Sequence, residues 1–292
     1  MMMPQRTSSD TDPDESSSEE DLQSRRLLIL GAHPDDAEYH AGGLATRYCA
    51  RGDAVKMVSV TNGAAGHHQL KPDELTVTRR AEAEAASAII GASYEVWNFP
   101  DAALQPTLEV RDRIITEIRD FRPHLVITHR TNDYHPDHRA VGQAVQDASY
   151  LVTVPLVVPS VPIVSKDPVV AYMVDLFTKP CSMTPDVLLD IEDELPTIVN
   201  MLACHESQFF EFLPFNHGID IPNWQTADER LQWLRARYEA QIAPRADHFR
   251  SHLATAFGRS QGAEIRWIEA YEISEYAGEL ASDLRRDLFA ME

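Results

Sequence analysis

The sequence predicts an α/β fold, a Rossmann-like, doubly wound and mostly parallel sheet with helices on both faces and an irregular C-terminal elaboration. Three observations carry that expectation. Short continuous apolar runs recur through the first half of the chain, each is followed by a stretch with helical spacing, and the loops between them are short. Unbroken apolar strands are the kind buried on both faces, and strand–helix alternation with right-handed crossovers builds a parallel sheet between two helical layers.

The elements follow in order along the chain. RLLILGA (26–32) reads as the first buried strand, AGGLATRYCARG (41–52) as a helix ended by Gly52, and DAVKMVSVT (53–61) as the second strand. PDELTVTRRAEAEAASAIIGA (72–92) is a long Ala- and Glu-rich helix stopped by Gly91, and YEVWNF (94–99) is a third strand. Helical spacing returns over LEVRDRIITEIRDF (108–121), PHLVITH (123–129) is the fourth strand, and DHRAVGQAVQDASYLV (137–152) the next helix. Beyond 153 the pattern loosens. The Pro-rich 155–168 reads as loop and edge structure, 183–209 and 226–242 each contain a helix, and 263–274 reads as a late strand. The organisation expected is an acidic disordered leader over 1–25 and one domain over 26–292, its core at 26–152 and its elaboration at 153–292.

Composition narrows the function classes. The chain has 292 residues, with 26 Lys+Arg against 46 Asp+Glu and a formal net charge of −20. Phosphate backbones need clustered positive charge, so a nucleic-acid partner is not expected. The leader is rich in Ser, Asp and Glu and lacks the cationic start and apolar core of a signal peptide. The apolar stretch LVTVPLVVPSVPIV (151–164) is too short to span a bilayer and is broken by Pro155, Pro159 and Pro162. Cys49, Cys181 and Cys204 form no CxxC pair, so reduced, mostly structural thiols are expected. No membrane partner and a cytoplasmic location follow as expectations.

Two stretches crowd metal-ligating residues. GAHPDDAEYHAGG (31–43) follows the first strand directly, and THRTNDYHPDHRAVG (128–142) brings His129, His135 and His138 together with Asp133 and Asp137 after the fourth. Taken singly these have plainer readings: Asp137 is a candidate helix N-cap and His135 a candidate exposed loop residue. In the strand order 3-2-1-4 the two loops flank the point where such sheets bind ligands. Adjacent carboxylates repel, so Asp35 and Asp36 call for positive charge nearby. His33 and Asp36, three residues apart, can face the same way while Asp35 points elsewhere, and His138 completes two imidazoles and one carboxylate around a cation. Zinc suits that donor set and keeps a position open for water. Asp35 is then placed as the base, and His135 as a group that meets the developing oxyanion or protonates the leaving amine. Together these describe metal-assisted hydrolysis of an amide or ester.

AHPDDAE with the following Gly-Gly, and later HPDHRAVG, resemble the two signatures of the LmbE-like (PIG-L) deacetylases. TNGAAGH (61–67), Arg79 and Glu82 before IIGA, FPD ending in Asp101, ACHESQF (203–209) and EAYEISEY (269–276) fall in the order that family shows. The resemblance implies a zinc-dependent de-N-acetylase with His33, Asp36 and His138 as ligands, Asp35 as base and His135 as acid or oxyanion partner. It further implies that Arg79 and Asp101 contact hydroxyl or phosphate groups of the substrate, a small N-acyl amino sugar. Family members are often homo-oligomers. One departure is Ala37 after the paired aspartates, where many members place Glu; here Glu38 comes one residue later.

Two competing classes share these residues. A non-haem iron(II) oxygenase also uses two His and one carboxylate, so Fe2+ stands as the alternative metal. A sugar-binding protein with a vestigial site is the second. Other residues have plainer expectations. Arg79 and Arg80 read as a solvated helix face paired with Glu82 and Glu84, His67–His68 as an exposed loop, His205 as either core or site support, and Trp224 and Trp233 as core.

Overall fold

Leu27, Leu28, Ile29 and Leu30 are all fully buried, with Leu27 and Ile29 packed into one core layer and Leu28 and Leu30 into another. Alternate side chains of a strand leave opposite faces, so an unbroken apolar run is stable only between two covering layers. Each such side chain contributes roughly 1.5–3 kcal/mol on burial. The computed structural model describes residues 24–291. The acidic leader expected over 1–25 lies outside the described residues except for its last two.

Seven strands form one sheet: β1 (Arg26–Gly31), β2 (Ala54–Thr61), β3 (Ser93–Phe99), β4 (Leu125–Thr128), β5 (Val169–Met173), β6 (Val187–Asp190) and β7 (Ile268–Ile273). Their order is β3-β2-β1-β4-β5-β7-β6, so the expected 3-2-1-4 half is present. β1 to β5 pair in parallel, whereas β7 runs antiparallel to both β5 and β6. The later strands thus extend the same sheet. β5 and β6 were not separated from their surroundings in the sequence because each is only four or five residues long, next to Pro168 and Pro185.

The first helices are α1 (Asp36–Ala50), α2 (Pro72–Ala88), α3 (Leu108–Phe121), α4 (Pro136–Ala148) and α5 (Leu195–Cys204). A π-helical segment, Ser207–Phe212, leads into the short α6 (Leu213–Asn216). α7 (Ala227–His248), α8 (Arg250–Phe257), α9 (Arg259–Glu264) and α10 (Arg285–Leu288) follow. None of the described helices is long and apolar enough to cross a membrane. All three cysteines are free.

α1 begins five residues before the expected start at 41. It is two helical pieces joined at Ala41, whose φ of −140° is not helical. The buried carboxylate of Glu269, on β7, accepts the freed amides of Gly43 at 2.6 Å and Leu44 at 2.9 Å. A cap delivered from 225 residues away is invisible to local pattern reading. The Pro-rich connection is irregular as expected, and buried Arg119 gathers it: its guanidinium donates to the carbonyls of Leu151, Val152, Val154, Val157, Val158 and Val161.

α4 approaches the end of β4 through a glycine. A Cβ at Gly142 would lie 2.5 Å from the carbonyl oxygen of His129, so only a hydrogen fits between helix and strand end. Gly142→Ala should therefore push α4 outward and cost about 1–3 kcal/mol, as overpacking does. Chemical denaturation of the variant beside the parent measures that loss, and an unchanged midpoint would refute the close approach.

Candidate metal centre

β1 and β4 lie side by side, with Leu30 paired to Thr128, so the segments leaving their carboxyl ends meet. After β1 the chain turns within four residues into α1. A Cβ on Gly31 would come within 2.7 Å of the Asp36 Cβ, so glycine is required where the turn folds back. The amides of Ala32 and His33 donate to Asp36 Oδ2 at 2.9 and 2.7 Å. Asp35, between them and the helix, sits at φ 123°, a conformation costing roughly 1–3 kcal/mol for a non-glycine residue. Buried Arg79 holds it there: its guanidinium donates to Asp35 Oδ2 at 3.0 Å and to the Pro34 carbonyl.

After β4 the loop runs into α4, whose N-cap is His135. Its Nδ1 accepts the Asp137 amide at 3.2 Å, so the cap is the histidine and not Asp137. His138 then projects from the first turn of α4. His33 Nδ1 and His138 Nε2 lie 3.3 Å apart. Asp36 closes the triangle, with Oδ2 at 3.4 Å from His33 Nδ1 and Oδ1 at 3.5 Å from His138 Nε2. A tetrahedral cation with bonds of about 2.0–2.1 Å requires its donors to be about 3.3–3.4 Å apart. Each pair has about that spacing, with Asp36 meeting the two imidazoles through different oxygens, and two imidazoles with a carboxylate are a donor set that suits such a metal.

The outer nitrogens of both histidines are held by carboxylates. His33 Nε2 lies 3.3 Å from Asp101 Oδ1 and 3.3 Å from Asp137 Oδ2, and His138 Nδ1 lies 3.1 Å from Asp133 Oδ1. Carboxylates in this position fix ring orientation and raise the basicity of a metal-ligating imidazole. Other donor groups overlap the same space: His33–His135–His138, Asp36–His129–His138 and His33–Asp101–Asp137. The last is already committed. Asp101 Oδ2 accepts the Ala65 amide at 2.9 Å, and Asp137 accepts those of Ala102 at 2.7 Å and Leu104 at 3.1 Å. His129 stacks on His138 at 3.9 Å and sets its Nε2 3.1 Å from Asp36 Oδ2, on the oxygen that the backbone already holds.

Charge explains the arrangement. Burial opposes ionisation of His33, yet its contacts to Asp101, Asp137 and Asp36 raise its pKa well above the usual imidazole value. Burial likewise opposes charge on Asp36, but His138 and His129 hold it well below the ordinary carboxyl range. Burial pushes Asp101 and Asp133 upward, and their histidines, His33 and His138, outweigh it to hold each at about 2. Five aspartates thus converge with Arg79 as their only guanidinium neighbour among the residues lining the cavity. A divalent cation is the charge this donor set lacks.

The structure places the other candidate residues around that point. The His135 ring is 4.5 Å from that of His33, edge to face. Arg79 is 2% exposed, and its partner is Asp35, not Glu82. Glu82 instead accepts the amide and hydroxyl of Ser207, both at 2.7 Å, so the solvated-face reading of this pair is corrected. Helical spacing could not reveal that α2 lies under α5 and the π-helical segment. His67 and His68 are not a free loop pair either: His67 stacks near Phe212 and bonds Glu211 at 2.8 Å, and His68 stacks on Phe215. His205 is fully buried with Nε2 3.0 Å from the equally buried Glu38. Sequence reasoning places Asp133 only beside the histidines and offers Asp137 as an N-cap, so neither is read as a carboxylate that holds an imidazole. Their alternation with His in NDYHPDH was the available signal.

Comparison with known proteins bears on the same residues. Residues 28–149 match the model described as PIG-L, GlcNAc-PI de-N-acetylase. The matched segment runs from β1 to the end of α4. That PIG-L segment contains His33, Asp35, Asp36, Arg79, Asp101, His135 and His138. The diacetylchitobiose deacetylase of Thermococcus kodakarensis is 28% identical, covering 64% of this chain and 71% of its own. The 4-oxalmesaconate hydratase of Pseudomonas putida is 27% identical, covering 57% and 67%. The solved N,N'-diacetylchitobiose deacetylase of Pyrococcus horikoshii superposes with a TM-score of 0.63 at 20% identity, over 87% of this chain and 85% of that one. The last likeness shows a shared fold.

Asp137→Asn has one acceptor oxygen where Ala102, Leu104 and His33 use two, so it gives up a backbone contact and weakens the hold on His33. Loss of such an orienting carboxylate costs about 10–100-fold in metal affinity. Competition with a chelator of known affinity measures the drop, and parent-like affinity would show that Asp101 alone orients the ring.

Proposed function

We propose that this protein is a zinc-dependent hydrolase that removes an N-acetyl or other N-acyl group from a small amino sugar or N-acetylglucosaminyl conjugate. The observation that carries the reading is the set of His33, Asp36 and His138 donors at 3.3–3.5 Å spacing beside Asp35, a carboxylate held by Arg79 and lining the same cavity of about 540 Å³. In this reading His33 Nδ1, the Asp36 carboxylate and His138 Nε2 hold the metal. When bound, zinc supplies Lewis acidity that lowers the pKa of water to about 7 and polarises an amide carbonyl.

The chain's own residues supply the rest. Burial pushes the Asp35 carboxyl up to about 6 against the pull of Arg79, near the value at which a group both accepts and returns a proton at neutral pH. Asp35 takes the proton as water oxygen bonds to the carbonyl carbon. His135 Nδ1 accepts an amide proton, so the neutral ring carries its hydrogen on Nε2 and can donate there. Burial, His33 and His138 all depress its pKa, which favours that neutral donor facing the oxyanion. Asp35 then returns its proton to the nitrogen as the C–N bond breaks, leaving a carboxylic acid and an amine.

The likeness to the Pseudomonas putida hydratase favours a second reading, addition of water to an unsaturated carboxylate. The two are separated by products: amine released from N-acetyl sugars, against loss of the absorbance of a conjugated carboxylate. Oxygen-dependent turnover would overturn both and return the iron oxygenase.

Asp35→Asn should retain metal and lose turnover by roughly two to four orders of magnitude, the contribution of a positioned general base. Metal content and kcat on one preparation decide it; loss of metal with activity would make Asp35 a ligand. Arg79→Lys should lower kcat with little change in KM, because Arg79 acts on Asp35 and not on substrate. A raised KM with kcat intact would restore it as a substrate contact.

A further inference from the structure

The loop after β2, residues 62–66, reaches both carboxylates that flank the metal donors. Gly63 sits at φ 66°, and a Cβ there would lie 2.8 Å from Arg79 Cδ and 2.9 Å from its Nη1. Only glycine lets the loop lie against the arginine that holds Asp35. Two residues on, the Ala65 amide donates to Asp101 Oδ2 at 2.9 Å, and Asp101 Oδ1 lies 3.3 Å from His33 Nε2. The start of the loop is fixed locally: the Asn62 amide donates to the Phe99 carbonyl at 3.0 Å, and Asn62 Oδ1 accepts the Ala64 amide at 3.1 Å. Its end is held from 142 residues away, where Gln208 Nε2 donates to the Gly66 carbonyl at 2.8 Å. Gln208 is 4% exposed and belongs to the π-helical segment, whose Ser207 is pinned by Glu82. π-helical turns are rare and concentrate at functional sites.

We infer that Gln208 is a positioning residue for the metal centre: by holding the Gly66 carbonyl it sets the Ala65 amide on Asp101, and through Asp101 the orientation of the His33 imidazole. The inference rests on the reading of His33 as a metal ligand. A carbonyl only accepts, so the side-chain amide must present its nitrogen to Gly66. Between that carbonyl and the donating amide lies only the backbone of Ala65 and Gly66. Glycine is the most permissive residue, so this stretch needs an outside contact to keep one conformation. The bond from His67 to Glu211 reaches the same π-helical segment, but from beyond the Gly66 carbonyl. Gln208 is therefore the contact that acts on the Ala65 amide most directly. Carboxylates that orient a ligating imidazole carry about 10–100-fold in metal affinity, and the position of Asp101 depends on the amide that Gln208 steadies.

The test is a double-mutant cycle read in zinc affinity by competition with a chelator, with no substrate present. Gln208→Met keeps the length of the side chain and removes the donor. It should weaken zinc binding about tenfold, the lower end of what an orienting carboxylate supplies. Asp101→Ala removes the group through which Gln208 acts, so adding Gln208→Met to it should cost no further affinity. Unchanged affinity in Gln208→Met, or a loss that adds in full to that of Asp101→Ala, overturns the inference. A glutamine that only supported the fold would lower the melting temperature without moving the affinity, and one that only touched substrate would change KM alone. Gln208→Asn, one methylene short of the carbonyl, takes the place of Gln208→Met in the cycle if the latter fails to fold. If the parent binds no zinc, the metal reading fails, and the imidazole NMR signals of His33 in the metal-free protein decide the role of Gln208. A displacement by Gln208→Met that vanishes in the Asp101→Ala background supports it, and unmoved signals remove it.

Discussion

The parallel pairing of Leu27–Leu30 with Leu125–Thr128 is the constraint on which the centre depends. Two segments about a hundred residues apart are brought to one edge because two apolar strands, each buried on both faces, must lie in the middle of the sheet. The pairing register sets the ends of β1 and β4 level, and both chains turn there into helices. Side chains at those turns are thus held by the most buried part of the molecule, which is what a site requiring sub-ångström placement needs.

Such a placement concentrates like charge. Five aspartates around four imidazoles would repel one another strongly in a buried space, and the structure distributes their oxygens among specific partners. Asp36 Oδ2 is held by backbone amides, Asp101 and Asp137 share the outer nitrogen of His33, and Asp133 takes that of His138. What remains is Asp36 Oδ1, 3.5 Å from His138 Nε2, beside the facing nitrogens of His33 and His138, 3.3 Å apart. Arg79 serves the same end differently. By bridging Asp35 and the Pro34 carbonyl, it stabilises a backbone conformation that the turn requires and keeps the Asp35 carboxylate apart from that of Asp36.

The second half of the chain covers this edge and does not contribute to the donor set. Glu269 on β7 caps the second piece of α1, Glu38 on α1 pairs with His205 after α5, and Glu82 on α2 anchors the π-helical segment. Buried carboxylates used this way tie the covering elements to α1 and α2.

The sequence by itself determined the strand–helix alternation, the central position of the first and fourth strands, and the two loops whose His and Asp residues meet. Those features are legible because they rest on local period and on short spacings such as His33 to Asp36. It also pointed to His138 once the two strands were taken as neighbours. What only the tertiary structure decided are the partners of each polar group: Asp137 orienting His33 rather than capping α4, Arg79 buried on Asp35 rather than solvated, and Glu82 bonded to Ser207. The strands β5 and β6 and the early start of α1 belong with these. Each depends on contacts between residues far apart in the chain, and a periodic pattern carries no information about which distant group will satisfy a buried donor or acceptor.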